Sequence, residues 1–476
     1  MRAGALGREA YGAARYGSLA GALPDAALAK TKLPLPVFIF LLAILFPFKF
    51  NLGSLALTGP RLVLMVMTVP LFIRLFTGRY GRILPVDWLF LFHTIWLSIA
   101  LAVNNPDRVI QQAGSVGIEF FGGYLMGRAF IRTREDFAAL GRVLIWSVLL
   151  MTVFSLYETK TGTTLIPTLI DKIPGMGTIT INYQDPRMGL ERVQGPFAHP
   201  IHFGLYCSVV FAFAFVAFDG IKSLSWRIVA SGLILLNGFL ALSSGALLSL
   251  LLQIGLIGWY IALRRLEWRW WLLVGLVSLA YVTVDLISNR SAIMVFLSYA
   301  TFSAHTAYWR TIIFEWGLKN VWANPIFGIG LNDWVRPWYM YSGSMDNFWL
   351  VMAVRYGIPG FVLVTAGYLW GLFKVMFRDF SGDVRMQNFR RSWVFTFAGM
   401  TFTLCTVYVW ESIYAFTFFL FGAGMWMLTE EVKKRSTDDR SETDASANGE
   451  DAVGRRSGQR SAAYTRFAQT HRRTPR

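Results

Sequence analysis

About twelve apolar runs, each of roughly 17–22 residues, recur along this 476-residue chain. That is the length a helix needs to cross a ~30 Å hydrocarbon layer. The runs cover about 33–50, 60–77, 86–103, 110–130, 139–157, 200–219, 227–243, 245–263, 270–287, 347–374, 392–410 and 412–428. Charged residues make up only 15% of the chain and the mean hydropathy is +0.46, whereas a soluble globular protein carries about 25% charge. The expected class is an all-α polytopic membrane protein. Disordered chains, secreted disulfide scaffolds and soluble cytosolic enzymes are excluded.

A net charge of +17 would suggest nucleic acid in a soluble protein, but here the placement of charge matters more than its total, and no nucleic-acid partner is expected. Most of the cations collect on one side of the runs. They include Arg2, Arg8 and Arg15, then Arg74, Arg79 and Arg82, then Arg128, Arg132, Arg134 and Arg142. Lys222, Arg227, Arg264, Arg265, Arg269, Lys374, Arg378, Arg385, Arg390 and Arg391 continue the set, as do the many cations from Lys433 onward. These lie mainly in short connections, where the positive-inside rule works best, so both termini are expected in the cytoplasm. The organisation reads as a cytoplasmic segment over 1–32, a membrane domain over 33–430 and a basic, disordered cytoplasmic tail over 431–476. The tail's basic residues are read as resting near anionic headgroups. The first 32 residues contain no apolar core of a cleaved signal peptide, although their composition leaves a transit-peptide reading open. Cys207 and Cys405 each sit inside an apolar run and set no disulfide framework.

Two connections are long, about 158–199 and 288–346, and loops of that length are uncommon unless functional. The first ends in Glu191-Arg192-Val193-Gln194-Gly195-Pro196-Phe197-Ala198-His199-Pro200, preceded by Gln184-Asp185-Pro186-Arg187. Pro200 suits the first turn of the next helix. The second holds a helix-like piece near 306–320 with Trp309, Ile312, Ile313 and Trp316 on one face, as for a helix lying at the membrane interface. It stops at Asn324-Pro325, followed by Gly328-Ile329-Gly330.

Arg192 and Arg310 each stand alone as a cation near a span. A guanidinium matches phosphate or pyrophosphate oxygens bidentately, and contact with lipid headgroups is the plainer alternative. His199, His202 and His305 are candidate bases or hydrogen-bonded interfacial histidines; His93 reads as a packing residue inside the third span. Asp346-Asn347 opens the tenth span, where Asp346 could take a proton from a sugar hydroxyl, or the pair could simply cap the helix. Arg355 lies inside that span and needs a partner or a water-filled cavity, with Glu119 as the available acid. Gly123-x-x-x-Gly127 is a weak signal for close helix packing. No phosphate-binding loop of a nucleotide-driven pump occurs, and no outer loop carries a metal-ligand cluster, so neither a metal nor another cofactor is expected.

Two blocks give the chain a resemblance. One is Arg192-x-x-Gly195-Pro196-Phe197-x-His199-Pro200. The other runs from Tyr308-Trp309-Arg310 through Asn324-Pro325-x-x-Gly328-x-Gly330 and Asp346-Asn347-Phe348-Trp349-Leu350 to Arg355-Tyr356-Gly357-Ile358-Pro359-Gly360. Together they resemble the O-antigen ligase and polymerase family of bacterial inner-membrane glycosyltransferases. The resemblance implies a GT-C-like, metal-independent, inverting transferase with its active site at the periplasmic face. Its donor would be a glycan on undecaprenyl pyrophosphate, held by Arg192, Arg310 and Arg355. Asp346, His305 and His199 are the catalytic candidates, with Asn347 and Trp309 positioning the substrate. Other expected partners are membrane lipids and a chain-length regulator or export complex. Many ligases of the family carry a histidine where Asp346 stands, which turns the expectation towards polymerising exopolysaccharide or O-antigen repeat units. Transfer to lipid A–core or to protein is the alternative within the family. A transporter or flippase is the alternative outside it, although the halves show no internal repeat.

Overall fold

A computed structural model describes residues 31–52, 55–181, 183–289, 295 and 304–430. The N-terminal segment to residue 30 and the tail from 431, where the cytoplasmic tail was expected, lie outside the described residues. The chain begins with α1 (Leu35–Leu45), a hairpin of β1 (Phe48–Leu52) and β2 (Leu55–Thr58), α2 (Gly59–Phe76) and α3 (Pro85–Asn104). Next, α4 (Val109–Gly117) runs through a π-helical turn, Ile118–Gly122, into α5 (Gly123–Phe130). Then come α6 (Arg134–Thr161), α7 (Leu165–Asp171), β3 (Gly177–Thr178) and α8 (Pro200–Ala212), which ends in a second π-helical turn, Phe213–Ala217. They are followed by α9 (Leu224–Leu240), α10 (Ser244–Ala262), α11 (Arg269–Ile287) and α12 (Ala304–Ala323). The last are α13 (Phe348–Met376), α14 (Val384–Leu404) and α15 (Glu411–Gly422), continued by a 3-10 turn at Met425–Leu428.

Among the described residues eight helices are long and apolar enough to cross a membrane: α2, α3, α6, α8, α10, α11, α13 and α15, with α8 and α15 extended by their final turns. The remaining four expected spans are present in other forms. They are the shorter α1 and α9, the interrupted α4–α5, and α14, whose first turns carry Arg385, Arg390 and Arg391. The all-α polytopic class holds, with one small addition. β1 is the centre of a three-stranded antiparallel sheet in the order β2-β1-β3, pairing Phe48 with Thr178 and Lys49 with Gly177. This sheet ties the first long loop to the α1–α2 connection.

The expected Gly123-x-x-x-Gly127 packing is realised. α5 lies against α15, and a Cβ at Gly123 would stand 2.6 Å from the Ala415 carbonyl oxygen, while one at Gly127 would collide with that of Phe419. Close backbone approach of this kind is what small residues provide in membrane helix pairs. His93 is buried and its Nδ1 pairs with the Gly360 carbonyl at 2.8 Å, fastening α3 to α13 as a packing residue.

Two expectations need correcting. The apolar face of α12 does not lie open towards a bilayer interface: Ile312 and Ile313 are buried, and α12 packs on α13 so tightly that a Cβ at Gly317 would stand 2.5 Å from Leu350 Cδ2. The α14–α15 connection is also longer than the single residue left between the apolar runs 392–410 and 412–428. α14 ends at Leu404, and a non-helical stretch up to Trp410 intervenes, in which the Val407 carbonyl accepts the Phe348 N–H at 3.2 Å. Apolar composition runs unbroken through that stretch, so hydropathy alone gives no sign of its end.

Helix α13 is broken at Gly357 (φ 69°, ψ −179°), two residues before Pro359. Pro359 lacks an amide hydrogen, so the ladder must fail near this point. Backbone from the second loop fills the break. Ile329 N–H donates to the Val354 carbonyl (2.8 Å), Gly330 N–H to that of Arg355 (3.0 Å), and Ile358 N–H to that of Pro325 (2.8 Å). Trp96 Nε1 donates to the Tyr356 carbonyl at 2.8 Å, and its ring stacks on Phe327. Non-helical backbone at such depth is tolerated because protein groups satisfy it. The motif Asn324-Pro325-x-x-Gly328-x-Gly330 is therefore the counterpart of Gly357-Ile358-Pro359.

Candidate active site

The end of α6 builds the first side of the site. Its buried Glu158 carboxylate accepts the N–H of Gln194 (2.8 Å) and of Gly195 (3.1 Å), gripping the turn that follows Arg192. Gly195 takes φ 54°, a conformation suited to glycine. On either side of Arg192, Glu191 N–H donates to the Thr159 carbonyl (3.1 Å) and Val193 N–H to that of Leu240 (3.0 Å). Arg192 is thus held between the ends of α6 and α9.

Around it stand Arg187 and His199. Arg187 donates to the Leu242 carbonyl at 2.8 Å, and Arg192 to Gln184 Oε1 at 3.3 Å. The positive charges of Arg187 and Arg192 both act on His199, and burial, the larger cause, adds to them; its imidazole is pushed down to about 4 and is neutral at pH 7. His199 caps α8 by accepting the Ile201 N–H on Nδ1 (3.1 Å), so its proton sits on Nε2 as a donor. Its ring lies 5.9 Å from that of Trp410, which also packs edge-on against buried His202 at 4.0 Å.

The second loop and the start of α13 build the other side. Arg310, on α12, is pushed below the ordinary guanidinium range chiefly by burial and also by Arg187, while the nearby Asp346 carboxylate acts in the opposite sense. Arg192 is likewise lowered, to about 10, by burial and Arg187, and remains charged at neutral pH. Asp346 accepts from Ser344 Oγ at 2.7 Å. Asn347 is the N-cap of α13, its side-chain oxygen accepting the Leu350 N–H at 3.1 Å. Its side-chain amide NH2 points to no partner within that cap. Trp309 lies beside Arg310 with its ring 6.2 Å from Tyr339. His305 falls in the first turn of α12, and its side chain lies outside the described residues.

Arg187 therefore lies within electrostatic reach of both Arg192, five residues on in the same loop, and Arg310, from the second loop. Among the described residues none of them forms an ion pair with a carboxylate, and the Nε atoms of Arg192 and Arg310 are buried without a hydrogen-bond partner. Orphaned, buried guanidinium donors are costly unless an anion completes them. Three non-glycine residues with left-handed backbone, Met188, Leu242 and Glu411, lie beside the same elements; such strain collects at functional sites.

Arg355 is placed differently from the loop arginines. Its guanidinium lies over the Tyr408 ring (5.6 Å) and Nη1 reaches the Tyr408 hydroxyl at 3.5 Å. Glu119, the expected partner, instead pairs with Arg61, with Arg61 Nη2 at 2.7 Å and Nε at 3.1 Å. Arg61 stands in the first turn of α2, which packs on the π-helical turn carrying Glu119. Sequence reasoning passed over Arg187 and Glu158. Arg187 was visible as a second arginine beside the motif, and Glu158 as an acid in the last turn of a long apolar helix.

Residues 229–365 match the family model described as O-antigen ligase, Wzy_C. This segment contains Arg310, Asp346 and Arg355 as well as the break in α13; Arg187, Arg192 and His199 precede it. That segment is O-antigen ligase-like, and the match supports O-antigen ligase or polymerase-type glycan transfer, a glycosyltransferase-like activity, in a multi-pass membrane protein. No curated protein matches the chain.

Proposed function

We propose that this protein polymerises oligosaccharide repeat units carried on polyprenyl pyrophosphate, by inverting glycosyl transfer at the periplasmic face of a bacterial inner membrane. The observation that carries the reading is the trio of arginines without carboxylate partners, two of them with buried, unpaired Nε donors, beside Asp346. Arg192 and Arg310 hold the donor's pyrophosphate bidentately and meet the charge that develops as it departs. Arg187 adds a third positive charge to the same region.

In the reaction an acceptor sugar hydroxyl attacks the anomeric carbon. The new C–O bond forms as the anomeric C–O bond to phosphate breaks, and the lipid pyrophosphate leaves with the bonding electron pair. Asp346 takes the hydroxyl proton. His199, neutral and protonated on Nε2 with Nδ1 taken by the Ile201 N–H, serves as a hydrogen-bond donor to the pyrophosphate or sugar rather than as the base. Arg355 stiffens the floor of the site through Tyr408.

The experiment uses purified protein in nanodiscs with lipid-pyrophosphate-linked repeat units from the source organism, and an Arg310→Ala control. A ladder of longer lipid-linked glycans, lost in the control, is the expected result. The description of the matching family favours a second reading, transfer to a lipid-linked core. No ladder with repeat units alone, but transfer once lipid A–core is added to the same tube, would replace the polymerase reading by the ligase one.

A further inference from the structure

We propose that the segment 334–341 is a glycan-binding platform: a row of rings leading outward from Arg310 that stacks against pyranose rings of the sugar chain. It deepens the transferase reading and rests on it for the identity of the chain.

The row is continuous. Trp309, next to Arg310, lies 6.2 Å from Tyr339, which lies 5.9 Å from Trp338. Tyr308 joins at the other end, 6.0 Å from Trp309. Trp338 is 84% exposed and Tyr341 89% exposed, an unusual state for two large rings three residues apart. They are held in place. Trp334 Nε1 donates to the Gly343 carbonyl (3.0 Å), and Arg336 donates to the Met340 carbonyl (3.1 Å) and pairs with Asp333 (2.5 Å). Asn320 of α12 clamps Val335 by both its amide groups, accepting at 2.9 Å and donating at 2.8 Å. A loop whose own bonds fix its backbone leaves only the rings' rotamers to be ordered on binding.

Two chemistries use exposed Trp and Tyr, the lipid interface and the sugar face. Here the exposed rings are flanked by Asp333 and Arg336 on one side and Ser342 and Ser344 on the other, and Asp333, Ser342 and Ser344 are exposed. That mixture suits a pyranose, whose C–H face meets the electron-rich ring while its hydroxyls take hydrogen bonds. The row starts at Trp309, one residue before Arg310 on α12, which sets it at the edge of the site, where a chain attached at the reacting centre would run.

The test uses the full chain in nanodiscs and the soluble repeat-unit oligosaccharide released by mild acid, with wild type compared with a Trp338→Ala/Tyr341→Ala variant. Calorimetry on wild type is expected to show binding that weakens at least about fivefold in the variant, from the loss of two ring contacts. In a separate tube with lipid-pyrophosphate-linked repeat units as donor, the variant's products are expected to shorten while the first transfer persists. Equal affinity and equal product length in the two proteins overturns the platform, as does quenching of Trp338 fluorescence by brominated lipid without any effect of the oligosaccharide. If wild type makes no product from lipid-linked repeat units either alone or with lipid A–core added, the transferase reading fails on that result, and the oligosaccharide titration still decides the platform.

Discussion

Gly357 and Ile326 meet backbone to backbone: a Cβ placed on Gly357 would run into the Ile326 carbonyl oxygen. The glycine also holds φ 69° with ψ −179°, a region closed to side-chain-bearing residues. Gly357→Ala must therefore displace the 324–332 backbone and strip the α13 break of its donors. A loss of at least ~3 kcal/mol is expected from strain and unsatisfied carbonyls together. Thermal unfolding in detergent measures it. Gly275→Ala on α11, where a Cβ meets nothing within 4 Å, is expected to leave the melting temperature unchanged or slightly raised. Equal melting of both variants would refute the docking.

Glu158→Ala leaves two buried N–H groups, those of Gln194 and Gly195, without an acceptor. Leaving such donors unsatisfied costs about 1–3 kcal/mol. Part of that cost should appear as a misplaced Arg192, so transfer is expected to fall about tenfold or more beyond the loss of folded protein. Glu158→Gln keeps one carbonyl acceptor and is expected to recover most of the activity. Rates normalised to folded protein check this; an Ala variant as active as wild type would show that Glu158 does not position Arg192.

Span length and the two arginine-bearing loops could be read from sequence because both are local properties: a run of apolar residues, and a lone charge beside it. Contacts between distant elements could not. Glu119 seemed the partner of Arg355 because both sat inside spans, yet Arg61 reaches it across 58 residues of sequence. Glu158 grips a turn 36 residues away, and no periodicity signals such a pair. The glycines of Gly328-x-Gly330 follow the end of a helix like any loop glycines, and nothing local marks them as the place where the backbone meets α13. The Leu350 N–H on the Asn347 side-chain oxygen makes Asn347 the cap of α13, as its place before an apolar run suggests.

Acid stability should carry the signature of His199. In the folded chain its imidazole is pushed down to about 4, against an ordinary value of 6.5. Above about pH 6.5 neither folded nor unfolded histidine binds a proton, and the contribution to stability is complete. Between about 6.5 and 4 the unfolded chain takes up the proton first, so stability falls as pH falls, by about 3 kcal/mol at most. His199→Asn keeps a good N-cap for α8 and removes the titration. Melting temperature followed from pH 7 to 4 is expected to fall less steeply in this variant; parallel curves would count against a buried, neutral His199.

Arg187 supplies the sharpest test of the cluster, since its charge acts on three groups at once: Arg192, His199 and Arg310. Removing it should weaken the hold on a pyrophosphate by the worth of a charged hydrogen bond, about 1.5–3 kcal/mol, or roughly ten- to a hundredfold in kcat/KM. Arg187→Lys keeps the charge without the planar fork and is expected to lie between wild type and Arg187→Ala. Loss of a nearby positive charge also lets the His199 imidazole rise towards its ordinary value, which narrows the pH interval over which folded and unfolded chains differ in bound protons. Arg187→Ala should therefore be less active and yet lose less stability between pH 6.5 and 4 than wild type. A purely structural arginine, tied only to the Leu242 carbonyl, would lower the melting temperature equally at every pH. Measuring kcat/KM and the pH dependence of melting on the same samples separates the two cases.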